Sequence, residues 1–345
     1  MDKRLAVVAL LTAGLALAGC SATGGQGGSA PGASTGFLGK KRSDIEVDKG
    51  KAFAGTQKVV IGGFKVGFVE YKKMKAKAGG GFLGSGFGGK SLAKVTLAGV
   101  DETTRQVIVD AAYADFVSGL SAAGYEVVDR GVLLSSDAFS GAKTHAAPYE
   151  TDDSTLAVGA DVTYYVPTEF DGKIRIFMSD AMGLGGALGW SHPSSAATKF
   201  ADEHDGALRV LVVNYLIDFA NSENYGGMHT STSSVSVYQG LSIKPDSGVE
   251  IIGGHGGTFS SAVGSLRLGQ AKYSTETFGE VVDVTSSASK TTETVVNVAS
   301  ALLGGGTNVS RRYEVQADPG RFAALSGSLL AEANAALLEQ MTALR

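Results

Sequence analysis

The spacing of apolar and polar positions divides the chain into a short apolar start, an unpatterned stretch and a long patterned remainder. Residues 58–71 alternate as a strand does, with Phe64, Val66 and Phe68 on one face and Lys65 and Gly67 on the other. A second strand is expected at 93–97. Asp101 stands where a helix N-cap belongs, Glu102 follows in the first turn, and Val109, Ala112, Tyr113, Phe116, Val117 and Leu120 recur at helical spacing before Gly124. Residues 125–129 then read as a short strand packed beside that helix. Strands are expected at 161–166 and 172–178, and a helix at 193–203. Residues 208–219 form a continuous apolar run, too β-branched for a good helix, and predict a central strand. Val235, Val237, Leu241 and Ile243 alternate with polar neighbours, and Pro245-Asp246-Ser247-Gly248 is expected to turn that strand into 249–253 as a hairpin. Strand-like sequence continues over 259–284. Helices are expected at 287–303 and 319–344, the last amphipathic through Phe322, Leu325, Leu329, Ala333, Ala336 and Leu337, with Pro319 in its first turn. The fold class this predicts is α+β: a mixed sheet with packed helices plus long β-hairpins.

The apolar start changes the picture most. Residues 5–18 are almost wholly apolar and end in Leu17-Ala18-Gly19-Cys20. A run of about 14 residues is too short for a spanning helix, which needs about 20, and suits the core of a cleaved export signal. The ending resembles the lipobox of bacterial lipoproteins, which implies cleavage before Cys20 and acylation of its sulfur. Cys20 is the only cysteine, so no disulfide can form within one chain. Ser21 follows the lipid site, and by the sorting rule of enteric bacteria a serine there leans toward the outer membrane. The domain reading is a signal peptide at 1–19, a Gly/Ser-rich tether at 20–50 and a single α/β domain at 51–345 with hairpin insertions and a C-terminal helix.

Composition agrees with a folded domain. Hydrophobic residues are 43% of the chain and charged residues 19%, and a net charge of −4 argues against nucleic-acid binding. Glycine, at 49 residues, is concentrated in a few stretches that mark loops.

One of those stretches spells a phosphate loop. Gly84-Ser85-Gly86-Phe87-Gly88-Gly89-Lys90-Ser91 matches G-x-x-x-x-G-K-[ST]. A phosphate loop needs a strand before the glycines and a helix N-terminus after the lysine, and this sequence predicts neither. Gly84, Gly89, Lys90 and Ser91 are therefore considered as nucleotide ligands and disfavoured, as are Asp129 and Asp218 as magnesium-binding partners. The five histidines, His145, His192, His204, His229 and His255, lack the spacings that place two ligands on one metal. Asp202-Glu203-His204-Asp205 reads as a solvated helix end, and Gly253-Gly254-His255-Gly256-Gly257 as a hairpin tip with no serine elbow to accompany it. No catalytic residue, metal or cofactor is assigned.

The segment Gly124-Tyr125-Glu126-Val127-Val128-Asp129-Arg130 after a helix, the strand Leu211-Val212-Val213-Asn214-Tyr215-Leu216-Ile217-Asp218-Phe219 and the stretch Leu241 to Glu250 resemble, in that order, the core of the CsgG family of curli-secretion lipoproteins. The resemblance covers about residues 58–284 in element order. It implies a CsgG-like, anticodon-binding-like α/β core facing the periplasm, and outer-membrane rings in which each subunit lends two amphipathic hairpins to a shared barrel. Spanning strands need about 9–11 alternating residues. Residues 228–243 and 259–278 are long enough, although Arg267 and Lys272 interrupt the second, and ordinary hairpins on a soluble sheet remain the alternative. The function expected is a non-enzymatic, lipid-anchored envelope protein that acts by protein–protein contact, with a homo-oligomeric secretion or surface-assembly component as its fullest form. A monomeric periplasmic binding or regulatory lipoprotein stands beside it, and an exported nucleotide-binding enzyme or hydrolase is the third reading.

Overall fold

The computed structural model describes residues 30–35, 41–77, 89–151, 160–177, 180, 191–225, 233–253, 263–287, 289 and 308–345. Cys20 and its lipobox, residues 84–88 of the phosphate-loop string, His229, His255 and most of the expected helix at 287–303 lie outside the described residues.

Fifteen strands and five helices follow one another as β1 (Ile45–Asp48), β2 (Lys58–Lys77), β3 (Lys90–Ala98), α1 (Glu102–Ala122), β4 (Glu126–Val127), α2 (Arg130–Leu134), α3 (Asp137–Ser140), β5 (His145–Ala146), β6 (Tyr149–Thr151), β7 (Ala160–Tyr165), β8 (Lys173–Ile174), α4 (Ser191–Glu203), β9 (Leu208–Tyr225), β10 (Ser234–Ile243), β11 (Gly248–Ile252), β12 (Val263–Leu268), β13 (Lys272–Ser274), β14 (Gly279–Asp283), β15 (Asn308–Ala317) and α5 (Pro319–Leu344), counted among the described residues. The fold is α+β, with a mixed sheet ordered β1-β12-β11-β9-β2-β3-β15-β14. β2 lies parallel to β9, from Lys58 opposite Leu208 to Phe68 opposite Ile217, and antiparallel to β3, from Tyr71 opposite Thr96 to Lys77 opposite Lys90. β3 is in turn parallel to β15.

The burial of β2 follows its sequence. From Val59 to Val69 every residue is buried, whereas from Met74 onward buried and exposed positions alternate. A strand covered on both faces shows the first pattern and one covered on a single face the second. In the first half, α1 and α5 cover one face, where Phe64 meets Tyr113 edge-on at 5.3 Å between ring centroids and Phe68 lies 6.5 Å from Phe322. α2, α3 and α4 cover the other, with Leu133, Phe139 and Phe200 packed on Val60, Val210 and Val212. Each such fully buried side chain contributes about 1.5–3 kcal/mol of transfer free energy.

The two long helices begin where the sequence places them. Asp101 accepts from the Thr104 amide at 2.7 Å and Asp318 from the Arg321 amide at 2.8 Å, with Pro319 in the first turn of α5. Each cap is worth about 1 kcal/mol. The helices approach closely at Gly119, where a Cβ would strike the Leu338 side chain. Between them Asn334 accepts from the Tyr215 hydroxyl at 2.6 Å and donates to Asp115 at 2.7 Å, so this buried amide has its partners.

Four expectations need correction. β10 and β11 are not a hairpin. Both lie antiparallel to β9 along the same edge, Ile243 opposite Ile217 and Gly248 opposite Asn214, so the Pro245–Gly248 turn kinks one interrupted strand without reversing it. The longer insert on this side is absorbed by Asp246 at φ 69° and by a bond from the Leu216 amide to the Ser247 hydroxyl at 3.1 Å. The segment 259–278 is no single long strand among the described residues, because β12 ends at Leu268 and β13 begins at Lys272, pairing with β11 and β10 respectively. The sheet begins before the tether was expected to end, since β1 pairs with β12 from Ile45 opposite Leu268 and Arg42 bonds Asp246 at 2.7 Å. The strand at 172–178 shrinks to the two residues of β8, paired with β5.

Candidate functional site

β2 and β9 pair only as far as Phe68 and Ile217, and beyond that point they part. β2 continues beside β3, and β9 continues beside β10. At the fork stands Asp218, 4% exposed. Lys72 donates to its two carboxylate oxygens at 2.8 and 2.7 Å and to the Ala220 carbonyl at 2.6 Å, and the Lys244 ammonium lies 3.5 Å from Oδ2. Burial opposes ionisation of Asp218, but the charges of Lys72 and Lys244 and the Lys72 hydrogen bond outweigh it, and the carboxyl is held below its ordinary range.

Beyond the fork the two hairpins face each other and are tied together. The Ser91 hydroxyl donates to the Ser233 carbonyl at 2.6 Å. The Gln239 amide donates to the Gly279 carbonyl at 2.8 Å and accepts from the Phe278 and Gly279 amides at 2.9 and 3.0 Å. Met74, Ala76, Ala93 and Val95 are buried on this inner side.

The outer side of the same strands is cationic. Residues opposite one another in a sheet point to the same face, and alternate residues along a strand share it. The register therefore sets Lys73, Lys94 and Arg312 in one row across three strands, Lys77 and Lys90 in another, and Lys75 between them. Lys75, Lys77, Lys90 and Arg312 are exposed. The acidic side chains that the register sets on this face among the described residues are Glu314 and Glu280, in the rows of Thr96 and of Gln316, and Asp161 of β7, opposite Tyr71 in the row next to Lys73. Like charges directly across a sheet cost stability, and a partner of opposite charge would offset that cost.

The residues singled out in the sequence fall as follows. Gly89 precedes β3, and Lys90 and Ser91 are its first two residues, so a strand with its amides committed to β2 and β15 follows the lysine where a phosphate loop has a helix. Asp129 caps α2 through the Gly131 amide at 2.7 Å, and Asp218 is held by the two lysines; neither is near Lys90 in the sheet register. The His204 ring nitrogen meets the Phe200 carbonyl at 2.8 Å at the end of α4, and His145 packs against the Tyr149 ring. Among the described residues no group of three His, Cys, Asp or Glu side chains is placed to hold a metal ion. No helix among them is long and apolar enough to cross a membrane. The fork was legible only in part. Asp218 ends an apolar run, but its partners are 146 and 26 residues away in sequence.

Compared with protein-family models, with curated proteins and with solved structures, the chain finds no match in any of the three.

Proposed function

We propose that this chain is a non-enzymatic protein of the bacterial cell envelope, cut before Cys20, held at the outer membrane by acyl chains on that cysteine and facing the periplasm, and that it works through protein–protein contact. The observation that carries the reading is the run Leu17-Ala18-Gly19-Cys20 behind an apolar stretch too short to span a bilayer. The cationic face formed by Lys75, Lys94 and Arg312 supports it as a docking surface for an acidic partner, because cross-strand repulsion is there to be relieved. The similarity to the curli-secretion lipoproteins extends the reading to a homo-oligomeric secretion or surface-assembly component.

A specific observation favours the monomeric form of the same reading. A shared barrel needs hairpins that leave the body of the subunit, and here the β9–β10 hairpin is bonded to β3 through Ser91 and to β14 through Gln239. Light scattering on the detergent-extracted protein separates the two: a detergent-stable mass of several subunits supports the ring, and a single-subunit mass supports the binding module. For the anchor, Cys20→Ser moves the protein from the membrane fraction to the soluble fraction of the cell; a serine variant that stays with the membrane contradicts it.

A further inference from the structure

A second charged site lies where β2, α2 and β8 meet, and nothing in the reading above uses it. Gly62 and Gly63 form the floor of a narrow recess of about 10 Å³, and Lys65, Arg130, Lys173 and Arg175 reach it from three elements and a loop. The floor needs glycine. The strand is bulged between Ile61 and Gly63, and a Cβ on Gly63 would come 2.8 Å from the Phe177 ring. Lys65 is neutralised within the protein by Asp180, both being fully buried. The two arginines are not. The Arg130 guanidinium stacks over the Phe170 ring, 3.8 Å from its centroid, and Arg175 lies over the Phe139 ring at 5.1 Å. Stacking satisfies the flat faces and leaves the N–H edges: Nε and Nη2 of Arg130 and Nε of Arg175 are buried without a hydrogen-bond acceptor.

Those groups should carry an acceptor. A buried donor with no partner is costly, and two guanidinium groups that line one recess repel each other. The strain registers on Arg130, whose pKa is pushed down to about 10 by burial first and by Arg175 second. The carboxylates acting on Arg130 from neighbouring positions, Asp171 and Glu169, are exposed residues of the loop before β8 and bond none of the orphaned nitrogens. A guanidinium presents its N–H groups as a fork that fits two oxygens of one anion.

We propose that the recess is a binding site for a single oxyanion group, a carboxylate or a phosphate, clasped by the Arg130 and Arg175 side chains. The volume decides the class of ligand. A recess of this size holds about one water-sized group, so an anion can set an oxygen atom into it while a nucleotide or a drug-sized molecule cannot enter. The site uses no residue of the cationic face and does not rest on the lipid anchor, and it survives if either of those assignments fails.

The test is isothermal titration calorimetry on the detergent-extracted full chain with inorganic phosphate and, separately, acetate, each against chloride at equal ionic strength. Saturable one-to-one binding of either anion is expected, with affinity at least tenfold weaker in Arg130→Lys and in Arg175→Lys, which keep the charge but lose the fork. Binding of phosphate alone assigns a phosphate-bearing ligand, and binding of acetate alone assigns a carboxylate such as an acidic side chain of a partner. Lys94→Glu, on the cationic face, should leave the affinity unchanged. No heat beyond the chloride control for both anions, or equal affinity in the two arginine variants, overturns the proposal. If a lysine variant does not fold, Arg175→Gln read by phosphate- or acetate-dependent rise in Tm takes its place: a rise equal to that of the natural chain overturns the proposal, and its loss supports it.

Discussion

The two halves of β2 place the same residue type in opposite settings. In the run from Val59 to Val69, closed on both faces by helices, a single lysine appears, Lys65, and it is 1% exposed with its counter-ion Asp180 supplied from inside the fold. In the second half, closed on one face only, Lys75 and Lys77 are exposed on the open side, with Lys90 and Lys94 on the same face of β3. Between them, at the fork, Lys72 is bound to buried Asp218. A cation provided with its own acid serves the fold, because removing either member strands a charge in a place water cannot reach. A cation ranged beside other cations weakens the fold slightly and gains its value from something outside it. The same contrast separates Lys65 from its neighbours Arg130 and Arg175 in the recess, where the orphaned N–H groups await an acceptor.

The largest effect that would break this comparison is at Asp180. Asp180→Ala leaves Lys65 buried without its acid and should cost about 3–5 kcal/mol in urea unfolding, while Lys65→Met combined with Asp180→Leu recovers most of the loss. A cost below about 1 kcal/mol for the single change would mean that Lys65 is not held by its partner. At the fork, Asp218→Asn removes a charge bonded to Lys72 and near Lys244 and should cost about 1–3 kcal/mol at neutral pH. Because the folded protein holds this carboxyl below its ordinary value of 3.8, its contribution is complete above that value and is lost as pH falls through the lower folded-state value. Urea midpoints measured across acid pH should therefore fall less steeply in Asp218→Asn than in the natural chain. The smallest effect lies on the open face, where Lys94→Glu places an acid between Lys73 and Arg312 and should stabilise the protein by about 0.2–1 kcal/mol. That gain should shrink in high salt. Destabilisation by Lys94→Glu would show that the row is not repulsive.

Much of the scaffold could be read from residues alone because its signals are local. Asp101 and Asp318 with Pro319 are capping chemistry within one turn, and the apolar run of β9 is its own evidence of two-sided burial. What could not be read depends on residues far apart. Pro245-Asp246-Ser247-Gly248 has the composition of a hairpin turn, yet the same residues serve to kink a strand that must follow the bend of β9, and only the partner strand decides which. Lys65 alternates with apolar residues and so reads as solvent-facing, whereas Asp180, 115 residues away, makes its burial tolerable. Arg130 stood in the segment whose resemblance drew notice, but its meaning depends on Arg175 and Phe170, which no spacing connects to it. The short helices α2 and α3 have too few residues to show a period, and they were not expected.

The assignment of this protein to the cell envelope rests on the sulfur of Cys20, and it is tested most directly by mass spectrometry of the amino-terminal peptide from membrane-extracted protein. The account predicts a chain that begins at Cys20 and carries acyl groups on that residue. A chain that retains residues 1–19 with an unmodified cysteine contradicts it.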